Sequence, residues 1–415
     1  MIELSDVGGL RVLTEPVPFF HSVALGVICG QGSRDEPASD LGITHVVEHM
    51  LFKGTERKTA GQISRTIESV GGMLNGFTNK EATGIYARFM VEHFDVAVDL
   101  LLEMLNESRF GADELARERE VVFEEIKSSQ EDPEDECVDE MFRAYFGEHP
   151  LGPPVSGELS TVGSLDDAKL RRYYEGSYAR DRVVVSAVGE IDHEQVQRRF
   201  DEGLKVRAKS VTPPRRAPIP ATPGIRVRER REITQVHICV AKPAIPFPDE
   251  RRVALGLLNA AFGASTSSRL FQRLREEEGL VYSVSSFAEL FSDSGLFGVF
   301  LTTDKKKLGQ ALKSLREEWN RLADSNLEAA ELETARNFAK GGLTLSMESL
   351  TGRMMRMAHS QLLLNRQSTL EERLAELDAA SLSEVGSMVK TLGRFEDFYV
   401  SAVGPIDERE LRQLL

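Results

Sequence analysis

The sequence predicts an α+β protein made of two duplicated domains, each an α/β sandwich in which helices cover one face of a mixed or antiparallel sheet. The chain has 415 residues, more than one hydrophobic core usually supports. In addition, the segment Val185–Gly189 (Val-Ser-Ala-Val-Gly) recurs 215 residues later as Val400–Gly404. A repeat at so long an offset indicates a duplicated domain rather than a short structural repeat.

A proline-rich segment marks the boundary between the halves. Residues 206–224 include Pro213-Pro214 and further prolines, which can continue neither a helix nor a central strand. We therefore predict a first domain at 1–205, a linker at 206–224 and a second domain at 225–415.

Apolar spacing distinguishes strands from helices in the first half. Residues 23–29 and 84–90 have the composition of strands. Apolar residues recur at helical spacing in four segments, 43–52, 60–70, 94–107 and 113–130. Strands and helices do not alternate strictly, which favours an α+β arrangement over a parallel α/β sheet.

Composition excludes several classes of protein. The net charge is −15, whereas a nucleic-acid binder normally carries a basic face. No run of about 18 apolar residues predicts a transmembrane helix, and the N-terminus lacks the pattern of a signal peptide. The sequence has three widely spaced cysteines, Cys29, Cys137 and Cys239. This odd number fits a reducing compartment, in which disulfides are rare, and the three side chains are expected to be buried. We therefore expect a cytoplasmic protein that binds neither nucleic acid nor membrane.

The segment His45-Val46-Val47-Glu48-His49 has the chemistry of a zinc site. On a helix, His45 and His49 lie one turn apart on the same face, the spacing with which two imidazoles bind one zinc ion. Glu48 is then placed to act as a general base. Chance is the alternative explanation. However, ionisable groups in an otherwise apolar run are costly unless they are paired or bind a metal.

The order His-x-x-Glu-His is the inverse of the commoner zinc-peptidase motif. With it, the sequence resembles the pitrilysin, insulin-degrading enzyme and mitochondrial processing peptidase family, in which a helix of the form Arg-Glu-Arg-x-Val-x-x-x-Glu supplies a third ligand. Residues 117–125 match this form, and Glu125 lies 76 residues after His49 as in the family. The resemblance implies that Glu125 is a ligand and Glu118 an accessory catalytic acid. Glu120 and Glu124 are expected on a solvated helix face, although Glu124, where the family often has arginine, is an alternative ligand.

A second motif concerns the substrate. Residues 71–78 (Gly-Gly-Met-Leu-Asn-Gly-Phe-Thr) resemble the family's Gly-Gly-x-x-Asn-Ala-x-Thr strand, an edge strand that pairs with the substrate backbone. The resemblance implies substrate binding by Asn75, Gly76 and Phe77. Gly76 departs from the family's more frequent alanine. The alternative is an ordinary turn and strand.

The second half resembles a degenerate copy. Carried across the repeat, the two histidines fall near Leu255 and Asn259, and the two glutamates near Ala335 and Gly342. Arg275 and Tyr282, seven residues apart, match a family pair that anchors a substrate carbonyl and stabilises the oxyanion. A charged helix followed by a strand tyrosine is the alternative interpretation.

The resemblance implies a zinc-dependent endopeptidase or oligopeptidase with one Zn²⁺ per chain. It would hydrolyse unfolded peptides in an enclosed chamber, with a metal-bound water activated by Glu48. The partners implied are a peptide substrate and a second subunit, in a homodimer or in a heterodimer with a related chain. Two alternatives are a non-catalytic partner or scaffold subunit and a zinc hydrolase of another class. Histidine and carboxylate ligands also suit other divalent ions.

Overall fold

The computed structural model describes residues 2–209 and 224–415, which form two compact units. Most of the predicted linker, 206–224, lies outside the described residues. Within them, the first unit takes in 2–128, 153–209 and 346–369, and the second takes in 129–152, 224–345 and 370–415. The units therefore differ from the predicted contiguous domains, because each contains one segment from the other half of the chain.

Helices and strands follow the predicted spacing closely, and the helix predicted at 94–107 has those bounds. The strands are β1 (Glu3–Val7), β2 (Leu10–Pro16), β3 (Ser22–Cys29), β4 (Met73–Thr78), β5 (Thr83–Met90), β6 (Val183–Gly189), β7 (Ile225–Glu229), β8 (Gln235–Ala244), β9 (Val281–Leu290), β10 (Gly295–Asp304) and β11 (Tyr399–Gly404). The α-helices are α1 (Ile43–Leu51), α2 (Ala60–Glu68), α3 (Phe94–Glu107), α4 (Ala112–Glu131), α5 (Pro133–Phe146), α6 (Leu159–Gly163), α7 (Asp167–Ser177), α8 (His193–Gly203), α9 (Arg252–Asn259), α10 (Leu308–Ser325), α11 (Ala329–Ser346), α12 (Leu350–Leu364), α13 (Leu370–Ala379), α14 (Leu382–Leu392) and α15 (Glu408–Leu414).

Each unit contains one mixed sheet, so the predicted two-sheet α+β architecture is confirmed. The strand order is β1-β2-β6-β3-β5-β4 in the first sheet and β7-β11-β8-β10-β9 in the second. In each sheet one pair is parallel, β2 with β6 and β7 with β11, and the other pairs are antiparallel. This matching order follows the sequence repeat and places β4 and β9 at equivalent edges.

Helices cover both faces of each sheet, rather than the one face that the sequence predicts. In the first sheet, Val23, Leu25 and Val27 of β3 face the main helical layer, whereas Ala24 and Ile28 face a second apolar cluster. That second cluster contains buried side chains of α12, a helix from the second half of the chain. A strand buried on both faces is largely apolar rather than alternating, as β3 and β6 are.

The second sheet is covered in the same way. Val236, Ile238 and Val240 of β8 face one cluster, and Cys239 faces another that includes α5 residues such as Met141. The helices α5 and α12 occupy equivalent places in the two halves, and each packs in the unit that is built mainly from the other half. This exchange accounts for the segments 129–152 and 346–369 that depart from the predicted domains.

The backbone N–H groups at the N-terminus of α1 are hydrogen-bonded to the side chain of Glu36. Gly42 precedes it with φ of 90°, a left-handed conformation that favours glycine. The buried carboxyl group of Glu36 accepts hydrogen bonds from the backbone N–H of Gly42 at 2.7 Å and of Thr44 at 2.8 Å. These bonds satisfy donors that a helix cannot satisfy internally, and they hold the start of α1 in place.

All three cysteines are buried and unpaired, as predicted. Across residues 2–209 and 224–415, no helix combines the length and the apolar composition that crossing a membrane requires.

Candidate metal centre

Two imidazoles converge on one face of α1. The Nε2 atoms of His45 and His49 lie 3.2 Å apart, with the rings inclined at 74°. The helix buries its opposite face in the core through residues such as Val46, Val47 and Met50. Apolar packing thus fixes the rotation of α1 and directs both histidines away from the sheet.

Glu125 of α4 completes a group of three donors. Its Oε2 lies 3.8 Å from Nε2 of His45 and 3.6 Å from Nε2 of His49. Two atoms that each bind one tetrahedral zinc at about 2.0–2.1 Å are roughly 3.3–3.4 Å apart. The three observed separations are close to that value, so the donor set fits zinc. Among the described residues, no second group of three histidine, cysteine or acidic side chains converges in this way.

The electrostatic setting of His45 suits a ligand. Burial, together with the neighbouring imidazole of His49, lowers the pKa of His45 to about 4. The ring is therefore neutral near pH 7 and retains the lone pair that binds a metal.

Glu118 lies behind the candidate ligands, on α4 two turns before Glu125. Its Oε2 is 3.4 Å from Nδ1 of His49 and 2.7 Å from Nζ of Lys53. A carboxylate at Nδ1 orients the ring and makes the distal nitrogen a better donor. The structure therefore places Glu118 beside His49, and its accessory catalytic role stays a prediction.

The carboxylate of Glu48 is held against β4. Its Oε2 accepts a hydrogen bond of 2.8 Å from Oγ1 of Thr78. Burial raises the pKa of Glu48 above its usual range, while the hydrogen bond from Thr78 and the charge of His49 act in the opposite direction. A raised pKa brings a carboxylate closer to the range in which it exchanges protons near neutral pH.

The predicted substrate strand, β4, is the last strand of its sheet. The side chain of Asn75 is exposed, and its Oδ1 accepts a hydrogen bond of 2.9 Å from the N–H of Gly76. Phe77 packs its partly buried ring against the apolar cluster that contains α12. A contact between Phe77 and a substrate would therefore come from its backbone.

The remaining predicted residues lie elsewhere. Arg275 belongs to a π-helical segment, Phe271–Glu277, and lies over the ring of Phe271. Tyr282 is in β9 and is 57% exposed. Both belong to the second unit. In the first unit, Glu124 is 73% exposed and pairs with Lys127 rather than with the histidines.

Sequence reasoning missed three contacts around the centre: those of Thr78, Lys53 and Glu36. Thr78 carried a signal, because it is the threonine that ends the family strand motif. Lys53 and Glu36 carried none, since their partners are distant in sequence or belong to the backbone.

Comparison with known sequences agrees with this geometry. A family model described as "Insulinase (Peptidase family M16)" matches residues 11–158, and one described as "Peptidase M16 inactive domain" matches residues 164–338. An uncharacterized zinc protease of Bacillus subtilis is 36% identical over 399 residues, which cover 96% of each chain. An uncharacterized zinc protease of Streptomyces coelicolor is 34% identical over 417 residues, 98% of this chain and 90% of the relative.

Solved structures show the same fold. A peptidase M16 inactive domain from Pseudomonas fluorescens superposes with a TM-score of 0.89 at 21% identity, covering 98% of both chains. A protease from Helicobacter pylori has a TM-score of 0.89 at 19% identity, covering 98% of this chain and 99% of the other.

Proposed function

This chain belongs to the insulinase family, peptidase family M16, and on that premise we propose that it is an active zinc-dependent peptidase. The observation that carries the proposal is the convergence of His45, His49 and Glu125, with Glu48 beside them. A chain that only supports a partner has no need to keep all four groups in this arrangement.

The three converging side chains would hold the metal. Bound zinc supplies a Lewis acid and makes a nearby water more acidic. Glu48 would accept the proton of the attacking water and pass it to the leaving amine, as a partly buried carboxylate of raised pKa is suited to do. Glu118 would keep the ring of His49 oriented.

The substrate would be an extended peptide added to the edge of the first sheet. β4 lies at that edge, and backbone pairing there would tolerate many sequences. Asn75 would bind the peptide, Arg275 would anchor a carbonyl and Tyr282 would donate to the developing oxyanion. We propose cleavage of unfolded peptides within an enclosed chamber, as an endopeptidase or oligopeptidase.

The active assembly would contain two subunits, in a homodimer or in a heterodimer with a related chain. Each chain carries both the candidate metal centre and the Arg275–Tyr282 pair, so a homodimer would suffice. Sedimentation of the purified chain alone, with peptidase activity measured in each fraction, distinguishes the two assemblies. Dimer fractions that cleave peptide indicate a homodimer, whereas inactive fractions indicate that a related chain is required.

A quenched fluorogenic peptide tests the function. We expect cleavage that is lost on chelation and restored by zinc. A Glu48→Gln variant should bind one zinc per chain but lose about a hundredfold or more in kcat, the usual scale for a general base. Native folded proteins should be cut far more slowly than unstructured peptides. A wild-type chain that binds zinc and cleaves no peptide, alone or with a related subunit, would instead support the non-catalytic role.

A further inference from the structure

A short chain of hydroxyl groups leads from the first sheet to Glu48. Oγ1 of Thr78 lies 2.8 Å from Oε2 of Glu48 and 3.0 Å from Oγ1 of Thr83, on the neighbouring strand β5. Thr83 is fully buried, and its hydroxyl is also 3.1 Å from the carbonyl oxygen of Phe77. Three side chains from α1, β4 and β5 thus meet in one place.

The number of protons gives the bond between Thr78 and Glu48 a direction. A hydroxyl has one proton to donate, and an ionised carboxylate can only accept. Thr78 must therefore donate to Glu48 whenever the carboxylate is ready to act as a base. The one proton of Thr83 can go to the carbonyl oxygen of Phe77, which only accepts, or to Oγ1 of Thr78. Only the bond from Thr78 to Glu48 therefore has a fixed direction.

The second carboxylate oxygen of Glu48 lies over a glycine. A Cβ added to Gly76 would be 2.5 Å from Oε1 of Glu48, closer than any real contact of that kind. Residues 76 and 78 are two apart on one strand and so face the same side of the sheet. Both carboxylate oxygens of Glu48 therefore lie against β4. Thr78 donates a hydrogen bond to Oε2, and the lack of a side chain at Gly76 leaves room for Oε1.

We propose that Thr78 is a positioning residue for Glu48, and that β4 both pairs with the peptide and sets the orientation of the general base. This inference rests on the proposed function. Thr78 holds Oε2 and leaves Oε1 to exchange the proton. Because the same strand would receive the substrate, ordering of β4 by the peptide would also order Glu48. Thr78 thus contributes to turnover rather than to substrate affinity.

Two substitutions separate the hydroxyl group from the shape of the side chain. Thr78→Val keeps the branched shape and removes the donor, whereas Thr78→Ser keeps the donor. We expect Thr78→Val to lower kcat about 10- to 100-fold with little change in KM, the scale on which groups that orient a metal site act. Thr78→Ser should retain kcat within about threefold, and Thr66→Val, at a half-buried position of α2, should match the wild type.

Zinc content and thermal unfolding are measured for every variant, so that loss of the metal or of the fold is recognised. A Thr78→Ser variant as impaired as Thr78→Val would overturn the proposal, because it would show that the hydroxyl group is not what matters. A rise in KM with kcat unchanged would also overturn it.

A second readout does not depend on peptidase activity. Crystal structures of the zinc-loaded wild type and of Thr78→Val should show the Glu48 carboxylate rotated away from β4 in the variant. An unchanged carboxylate would overturn the positioning role even if the wild type cleaved no peptide. Absence of cleavage by the wild type, with Glu48 displaced in the variant, would overturn only the proposed function.

Discussion

Nδ1 of His49 lies 3.4 Å from Oε2 of Glu118, on the side of the ring opposite to the nitrogen that faces Glu125. The same oxygen is 2.7 Å from Nζ of Lys53, at the C-terminal end of α1. A carboxylate placed at Nδ1 can hold the imidazole so that Nε2 faces the other candidate ligands.

We expect Glu118→Gln to weaken zinc binding about 10- to 100-fold, because the amide orients the ring less strongly than the carboxylate does. A competition titration with a zinc-binding dye measures the affinity. Glu120→Gln, an exposed change on the same helix, is the matched control. Equal affinities for the two variants would contradict the role of Glu118.

The choice between two adjacent glutamates can be tested directly. Glu125→Gln should reduce zinc affinity by at least about a hundredfold, since it removes a ligand. Glu124→Gln should leave the affinity unchanged, because Glu124 pairs with Lys127 at the surface. Metal analysis after dialysis gives the zinc bound per chain. Zinc retained by Glu125→Gln and lost by Glu124→Gln would reverse the assignment.

Tyr282→Phe tests the predicted role of the second unit. Removal of one oxyanion donor typically lowers kcat about 10²- to 10³-fold. We expect a decrease on that scale in peptide hydrolysis, with zinc content and melting temperature unchanged because the side chain is exposed. If kcat remained at the wild-type value, Tyr282 would not be an oxyanion donor.

The stability of the protein should depend on pH through Glu36. Burial raises the pKa of Glu36 to about 8, against the opposing effect of backbone donors at Gly42 and Thr44. An unfolded glutamate has a pKa of about 4.3, so between these two values the folded state holds a proton that the unfolded state has lost. Stability therefore falls as pH rises through this window, by up to about 1.4 kcal/mol per pH unit.

Glu36→Gln removes this proton linkage and should flatten the dependence. Thermal unfolding of both proteins at pH 5, 6, 7 and 8 checks the difference. Wild-type and variant melting temperatures that run parallel over this range would show that Glu36 does not titrate there.

The helix α12 should contribute to the stability of the first unit. Met354 is fully buried, and a Cβ added at Gly26 of β3 would lie 2.7 Å from its sulfur. Met354→Ala should lower the free energy of unfolding by about 2–5 kcal/mol, as other large-to-small core changes do. Met90→Ala, at a side chain 43% exposed, is the control. Similar urea midpoints for the two variants would contradict the packing role of α12.

Much of the candidate site follows from local patterns. The spacing of His45 and His49 defines one helical face, and the apolar residues between them fix which face is buried. The bounds of α3 and α4 follow equally from their apolar periodicity. The place of Glu125 came from the family resemblance, since no local rule connects residues so far apart.

The sequence by itself determined the two-domain α+β class, the duplication and the residues that can hold zinc, because these depend on periodicity, spacing and repetition along the chain. The resemblance implied Glu125 as a ligand, and the structure places it, rather than Glu124, beside the histidines. The tertiary structure alone decided that Thr78 donates to Glu48 and that α5 and α12 each pack with the sheet of the other half. Such contacts join surfaces distant in sequence. For each of them the chain offers many residues of similar chemistry as partners, and only the packing of the whole chain selects which residue makes the contact.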